Sequence, residues 1–185
     1  MTIPPHDQRV LLDLARRALE ARVERRPPPP VARGGTLDLA CGAFVTIHCR
    51  GELRGCLGRI DVDAPLAQTI AHLAAVVSDS DPRFAPVSVH ELPDIDVEIS
   101  VLTPEREIQS IEEIEIGRHG IVIEDGHRRG LLLPQVATEH GWDRETFLAH
   151  ACLKASVPAD SWRSGARVLV FEAQVFGENQ GTNAI

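Results

Sequence analysis

Lysine is almost missing from this 185-residue chain: Lys154 is one of 19 basic residues, and the other 18 are arginine. The chain also has no excess of positive charge, since its formal net charge is −8. Proteins that bind nucleic acid through its phosphate backbone need a concentrated cationic surface. The charge therefore excludes a general backbone binder, although it does not speak against a single local basic groove.

Long apolar runs are also missing. No stretch approaches the roughly 18 consecutive apolar residues of a membrane span, and Met1–Asp7 lacks the basic start and apolar run of a signal peptide. The cysteines match no zinc spacing of the CxxC kind. They are Cys41, Cys49, Cys56 and Cys152. Without an export signal, we expect four reduced thiols in the cytoplasm.

Several common functional signatures are absent as well. The chain contains no GxGxxG motif or phosphate loop, and no HxH, HExxH or GxSxG motif. These absences exclude the standard dinucleotide, phosphate-loop, zinc-hydrolase and serine-hydrolase classes. What is present is a chain with 43% hydrophobic and 25% charged residues, which is the composition of an ordinary globular protein. The composition identifies no cofactor and no metal.

Three helices are predicted from apolar spacing and from their end signals. The first covers residues 7–25 and is ended by the prolines at 27–30, which form a stiff extended connector. The second covers residues 65–79 and begins at a proline, which suits a first helical turn. The third begins after Trp142, where Asp143 is placed to cap it.

The remaining regular segments are typical of strands. Apolar and acidic residues alternate through residues 94–101, as in a half-buried strand. A hairpin is predicted from residues 121–124 and 128–133, and residues 167–176 form a last strand. Because hairpins and isolated strands replace regular strand–helix alternation, we expect an α+β fold with a mainly antiparallel sheet and flanking helices.

A further hairpin is predicted from residues 42–48 and 52–58, joined by the three-residue loop Cys49-Arg50-Gly51 with glycine at positive φ. This register places Cys56 opposite Phe44. It also sorts the side chains into an apolar face (Val45, Ile47, Leu53 and Leu57) and a polar face (His48, Glu52, Arg54 and Cys56). A two-residue loop would mix polar and apolar side chains on both faces, so the three-residue loop is preferred.

The hexapeptide Leu53–Gly58 within this hairpin is the strongest chemical signal. Alternation along a strand puts Arg54 and Cys56 on one face, and positive charge favours a thiolate. Cys56 is therefore the candidate catalytic nucleophile, with Arg54 and His48 as supporting groups. The alternative is a small side chain that fills a tight position between glycines. Cys152, on the apolar face of the third helix, is interpreted as structural.

Two further groups each have a functional and a structural interpretation. The carboxylates Asp94, Asp96 and Glu98 form either a row that holds a divalent cation or, more commonly, a solvated outer sheet face. In the turn Asp81-Pro82-Arg83-Phe84, the guanidinium of Arg83 is either a clamp for an anionic ligand or a turn arginine bonded to nearby carbonyls.

At the level of motifs, the chain resembles the AMMECR-domain family, also called AmmeMemoRadiSam system protein A. The similarity begins with the hexapeptide Leu-Arg-Gly-Cys-Leu-Gly and covers about residues 8–176 in order and spacing. The other matching segments are residues 81–84, 98–102, 130–136, 141–142 and 152–155. Two departures are small: Leu57 stands where isoleucine is frequent, and Ser156 stands where glycine is usual.

This resemblance implies a fold more than a reaction. It implies an α+β domain with a smaller subdomain. For the chain at hand we expect one domain over residues 1–185, with an N-terminal helix (7–26), a Pro-rich connector (27–35), an α+β core (36–176) and a tail (177–185).

The family's system name also implies partners, namely a Memo-type dioxygenase-like protein and a radical S-adenosylmethionine protein. The leading functional hypothesis is therefore a component of a cytoplasmic modification pathway that acts through the Arg54–Cys56 surface, as an enzyme or as an accessory of one. The target of such a pathway is a nucleic acid, a protein or a metabolite. The rival hypothesis is a non-catalytic module in which the same surface recognises RNA or a protein and Cys56 only packs.

Overall fold

The computed structural model describes residues 2–60 and 63–179, which divide into two compact units. The larger unit contains the described residues up to Leu102 and those from Gln174 onward, and the smaller unit is Thr103–Ala173. This division agrees with the expected smaller subdomain. Residues 61–62 of the predicted core and residues 180–185 of the predicted tail lie outside the described residues.

The larger unit packs two helices against an antiparallel sheet. The helices are α1 (Pro5–Val23) and α2 (Leu66–Ser80), and the strands are β1 (Ala43–Cys49), β2 (Glu52–Arg59) and β3 (Ile95–Leu102). The strand order is β2-β1-β3, so β2 lies at an edge. The helices pack on each other and α2 packs on β1, which buries a core of aliphatic side chains between the helices and one sheet face.

The predicted helices and the predicted β3 strand are confirmed to within two residues at each end. Leu11, Ala15 and Leu19 of the α1 stripe are fully buried. In β3 the apolar positions of the alternating pattern are all buried, and the acidic positions 96 and 98 are half-exposed. Apolar burial at the predicted spacing therefore fixes these three elements.

The predicted register of the β1–β2 hairpin is wrong. Cys49 pairs with Glu52, so the loop is the two-residue turn Arg50-Gly51, and both of its residues have positive φ (53° and 83°). Positive φ at both central positions is typical of a type I′ turn. The predicted positive φ of Gly51 is confirmed, but Leu53 is 44% exposed and does not join the apolar face.

A β-bulge explains how a two-residue turn still produces an apolar face. His48 pairs with Leu53, whereas Ile47 pairs with Gly55, so Arg54 is the extra residue on β2. An extra residue restores the alternation that a regular two-residue hairpin would lose. The interpretation from pattern alone failed because it assumed a strand without a bulge.

The smaller unit has its own antiparallel sheet and core. Its elements are β4 (Arg106–Glu107), β5 (His119–Asp125), β6 (Arg128–Leu132), α3 (Pro134–His140), α4 (Arg144–Lys154) and most of β7 (Arg167–Gly177). Strand β5 pairs with β6 and β7, and β4 pairs with β7. The buried side chains of this core include Phe147, Leu148 and Cys152 of α4.

In this unit the predicted hairpin, the third helix and the last strand are confirmed. Asp143 caps α4 as expected, because its side chain accepts a hydrogen bond of 2.8 Å from the backbone N–H of Thr146. Helix α3 was not predicted. Its seven residues are too few to show a clear helical period. Within residues 2–60 and 63–179, no helix is both long and apolar enough to span a membrane.

Candidate functional site

The candidate site lies in the larger unit, along the edge strand β2. Cys56 pairs directly with Thr46 of β1, and the hydroxyl of Thr46 donates a hydrogen bond to the Cys56 sulfur (Oγ1–Sγ 3.3 Å). Both side chains are half-exposed on the sheet face opposite the buried Val45 and Ile47. The thiol therefore has a polar neighbour and access to solvent, which a sealed core cysteine lacks.

A buried carboxylate covers the strand edge at Cys56. Asp81 follows α2 directly, its side chain is 3% exposed, and its Oδ2 accepts a hydrogen bond of 2.9 Å from the backbone N–H of Cys56. An edge strand presents unpaired N–H groups, and here a side chain pairs one of them. The same hydrogen bond fixes the turn that follows α2 against β2.

Asp81 also holds Arg83. The guanidinium donates Nε–H to Oδ1 (3.0 Å) and Nη2–H to Oδ2 (2.7 Å), and the Arg83 backbone N–H donates to Oδ1 (3.1 Å). These bonds, the guanidinium first, hold the pKa of the Asp81 carboxyl well below its usual range. The side chain of Arg83 is 56% exposed to solvent. Asp81 thus connects the guanidinium of Arg83 to the backbone of β2 at Cys56.

Arg54 is placed differently from the prediction. As the bulged residue it leaves the regular alternation, and its Nε–H donates to Oε1 of Glu91 (2.7 Å) in the short 3₁₀ helix Val89–Asp94. The bond from Arg54 lowers the pKa of Glu91 to about 2. A β-bulge commonly re-aims a side chain next to a functional site. Here it directs the Arg54 charge into an ion pair.

The ring of Phe84 lies between these two ion pairs. The guanidinium carbon of Arg83 is 5.4 Å from the ring centroid, and that of Arg54 is 5.9 Å from it. Both distances are within the range of cation–π attraction. Phe84 therefore links the Arg54–Glu91 pair to the Arg83–Asp81 pair, and the hexapeptide and the turn after α2 form one cluster.

A groove of about 600 Å³ adjoins this cluster. It is lined by Cys49, Arg50, Glu52, Leu53, Arg54, His90, Glu91 and Asp94. Arg50 pairs with Asp94 (Nη2–Oδ2 2.7 Å), and the exposed side chain of Leu53 supplies an apolar contact surface. The groove thus brings the exposed Leu53 together with the Arg50–Asp94 and Arg54–Glu91 pairs.

Comparisons with known proteins agree on one family. The AMMECR1 family model matches residues 12–176. The chain belongs to the AMMECR1 family. It is 43% identical to protein MK0488 of Methanopyrus kandleri over 184 residues, which is 92% of this chain and 87% of that one. It is 46% identical to protein MJ0810 of Methanocaldococcus jannaschii over 146 residues, which is 74% and 73% of the two chains.

A solved structure supports the fold. The crystal structure of the uncharacterized protein PH0010 from Pyrococcus horikoshii has a TM-score of 0.76 and 38% sequence identity to this chain. The match covers 92% of this chain and 90% of that one. The resemblance seen in the hexapeptide and the other motifs is therefore confirmed at the level of family and fold.

The AMMECR1 hexapeptide contributes two of the predicted site residues to the cluster, and Arg83 joins them from the turn. His48 lies two residues from Thr46 on the same face of β1, so it shares the face of Cys56 as predicted, but it does not pair with Glu52 as the predicted register requires. It lies opposite Leu53 on one side and Asp96 on the other, while Thr46 is the residue opposite Cys56.

The predicted carboxylate row is also altered. Asp94 is not part of β3, because it ends the 3₁₀ helix Val89–Asp94 and pairs with Arg50. Asp96 and Glu98 do lie on β3 and face the same side as Thr46. Among the described residues, no three His, Cys, Asp or Glu side chains are grouped so that they could hold a metal ion.

Sequence reasoning missed Thr46, Asp81, Phe84 and Glu91. Thr46 was missed because the predicted register placed Phe44, and not Thr46, opposite Cys56. Asp81 carried a usable signal, because an aspartate just after a helix and two residues before an arginine is placed to accept from both the backbone and that side chain. Glu91 had no such signal, since its partner is 37 residues away in the chain.

Proposed function

We propose that this AMMECR1-family protein acts through Cys56 as a reactive thiol in a modification pathway. One observation carries the proposal: the sulfur of the half-exposed residue Cys56 accepts a hydrogen bond from Thr46, while Asp81 joins the Cys56 backbone N–H to the Arg83 guanidinium. A hydrogen-bond donor and a cation both stabilise a thiolate relative to a thiol. The arrangement supports nucleophilic chemistry better than it supports acid–base or metal chemistry.

The chemical step is simple in this proposal. The thiol proton passes to solvent, and the thiolate then donates an electron pair to an electrophilic atom of the substrate, while the bond from that atom to a leaving group breaks and the group departs with the bonding pair. Thr46 and Arg83 stabilise the charge on sulfur before attack, and Asp81 keeps Arg83 in place. Neither Arg54 nor His48 is required for this step, because Arg54 is directed into its pair with Glu91 and His48 lies two residues along β1 from Thr46, the residue opposite Cys56.

The family resemblance extends the proposal to a pathway. We place the protein in the cytoplasm, because its four cysteines are free thiols, and with a Memo-type protein and a radical S-adenosylmethionine protein as functional partners. The test is co-expression of the three tagged proteins followed by affinity purification. Stable or substrate-dependent co-purification supports the pathway, and independent behaviour of all three proteins under substrate turnover contradicts it.

The reactive thiol is tested by the rate of iodoacetamide labelling at Cys56, measured by peptide mass mapping across pH 5–9. Thr46→Val and Arg83→Met should each slow labelling severalfold at fixed pH below 8, because each removes a group that stabilises the thiolate. Arg54→Met should have a smaller effect, since Arg54 is directed into its pair with Glu91, whereas Arg83 is held by the carboxylate that also binds the Cys56 N–H.

The matched control is Arg22→Met, which removes a paired arginine of the same unit that contacts Asp79 rather than the site. It should leave the labelling rate unchanged. If Cys56 is labelled as fast in the Thr46→Val and Arg83→Met variants as in the wild type, and circular dichroism shows that both variants are folded, the hypothesis of an activated thiol is wrong.

A binding module is the second candidate, and the groove beside Leu53 favours it. Leu53 is 44% exposed, and the groove charges are fixed in the Arg50–Asp94 and Arg54–Glu91 pairs. With a net charge of −8, a protein partner fits this surface better than RNA. Leu53→Glu should then abolish co-purification of the partner, whereas Cys56→Ser should retain it. The opposite pattern supports the reactive thiol, and RNA in the purified complex supports the RNA form of the hypothesis.

A further inference from the structure

Asp81 accepts four hydrogen bonds from two residues. Two come from backbone N–H groups, those of Cys56 and Arg83, and two come from the Arg83 guanidinium, all at 2.7–3.1 Å. Its side chain is 3% exposed, whereas that of Arg83 is 56% exposed. Hydrogen bonds to a charged carboxylate are stronger than hydrogen bonds between neutral groups, so Asp81 holds the Arg83 side chain firmly.

The hydrogen bonds from Arg83 to Asp81 reduce the net charge that the Arg83 side chain presents near Cys56. A guanidinium that is held along one edge by a carboxylate presents a compensated charge to an approaching molecule, rather than a free cation. Arg54, the other arginine at Phe84, is compensated in the same way by Glu91. Asp81 occupies the Nε and Nη2 donors of Arg83, so an anion at the remaining donors would meet a partly compensated charge, and the anion clamp at Arg83 stays a prediction.

We propose that Asp81 is a specificity-determining and positioning residue: it holds Arg83 beside Cys56 and, by compensating that charge, keeps the thiol from preferring anionic electrophiles. The inference rests on the proposed reactivity of Cys56. Its substrate class is an uncharged or cationic electrophile. The depressed pKa of Asp81, which the Arg83 bond causes, agrees with a carboxylate that stays charged at all physiological pH values.

The experiment measures the charge selectivity of Cys56 in the folded, full-length protein. Three methanethiosulfonate reagents differ in the attached group: an ethylsulfonate (anionic), an ethyltrimethylammonium (cationic) and a methyl group (neutral). In each case the thiolate attacks the reagent sulfur, a mixed disulfide forms and methanesulfinate leaves. The rates at Cys56 are read by peptide mapping, and the anionic-to-cationic rate ratio is divided by the same ratio for glutathione.

For the wild type we expect this normalised ratio to be 1 or lower. Asp81→Asn keeps an oxygen that can accept from the Cys56 N–H but removes the charge that compensates Arg83. The Asp81→Asn variant should raise the ratio about tenfold at low salt, because one uncompensated charge then lies near the thiol in a partly solvated site. The increase should be smaller at higher salt, where ions screen that charge. The double variant Asp81→Asn/Arg83→Met should return the ratio to the wild-type value.

The matched control is Asp79→Asn, which frees Arg22 in the same unit without touching Cys56. It should leave the ratio unchanged. A purely structural role for Asp81 would instead change the rates of all three reagents by the same factor, including the neutral one.

Two results overturn the inference: a wild-type ratio well above 1, or an Asp81→Asn ratio equal to the wild-type ratio in a folded protein. These failures differ from a failure of the proposed function, in which none of the three reagents labels Cys56 faster than it labels a buried cysteine.

Discussion

Cys56 and Cys152 are free thiols in the same chain, but their surroundings differ in every respect that controls thiol chemistry. Cys152 is fully buried in the core of the smaller unit, where burial raises the pKa of its thiol. Cys56 is half-exposed on an edge strand of the larger unit, with a hydroxyl donor and an arginine beside it. The comparison shows that the fold, rather than the residue type, separates a packing cysteine from a candidate nucleophile.

The same contrast appears in the glycines near each thiol. A Cβ on Gly130 would lie 2.2 Å from the backbone nitrogen of Ala155, at the end of the helix that carries Cys152. A Cβ on Gly58 would lie 2.1 Å from the ring of Phe44, which is a half-exposed side chain. Backbone at a helix end cannot move aside as a side chain can, so the surroundings of Cys152 are the more rigid of the two.

The largest expected effect follows from that difference. Gly130→Ala should lower the free energy of unfolding by about 3 kcal/mol or more, because the new methyl group overlaps backbone atoms. Gly58→Ala should cost less, since Phe44 can rotate away. Urea denaturation of both variants measures the difference. Equal losses would show that the sheet around Cys56 is packed as rigidly as the core around Cys152.

A second prediction concerns pH and the Asp81 contact. Asp81→Asn should lower the free energy of unfolding at pH 7 by about 2 kcal/mol, the scale of hydrogen bonds to a charged group. The folded pKa of Asp81 lies below its unfolded value of about 3.9, so this stability is fully present above that value and is lost as pH falls through the folded pKa.

The loss caused by Asp81→Asn should therefore be smaller at pH 3 than at pH 7, when both are measured by urea denaturation. A loss that is the same at the two pH values would mean that the charge on Asp81 contributes nothing, and that only the shape of the side chain matters.

A third and smaller effect is the loss of stability when each of these two cysteines is replaced by alanine. Cys152→Ala should cost about 1–2 kcal/mol of stability, because it leaves a cavity in a closed core. Cys56→Ala should cost less than about 1 kcal/mol, since solvent reaches that position. Thermal unfolding of the two variants checks the order. A reversed order would mean that Cys56 is held in place for packing, as the rival hypothesis states.

The helices and β3 could be predicted because their apolar spacing reports directly on burial, as Leu11 and Leu19 of α1 show. The register of the β1–β2 hairpin could not be predicted. One extra residue, Arg54, shifts the pairing of the two strands, and the alternation of polar and apolar residues does not reveal such a bulge. Cys56 and Arg83 were identified from local motifs. Glu91 depends on a contact between distant parts of the chain, and the pairing of Cys56 with Thr46 instead of Phe44 depends on the bulge, and sequence spacing encodes neither.

The most direct test of the account is a competition within one molecule. Folded wild-type protein is treated with limiting iodoacetamide at pH 6, and the early labelling of Cys56 and Cys152 is compared by peptide mass mapping. We expect Cys56 to be labelled at least tenfold faster, because only its thiol is accessible and has neighbours that stabilise a thiolate. Equal labelling, or faster labelling of Cys152, would contradict a reactive role for Cys56 and leave the binding module as the better explanation.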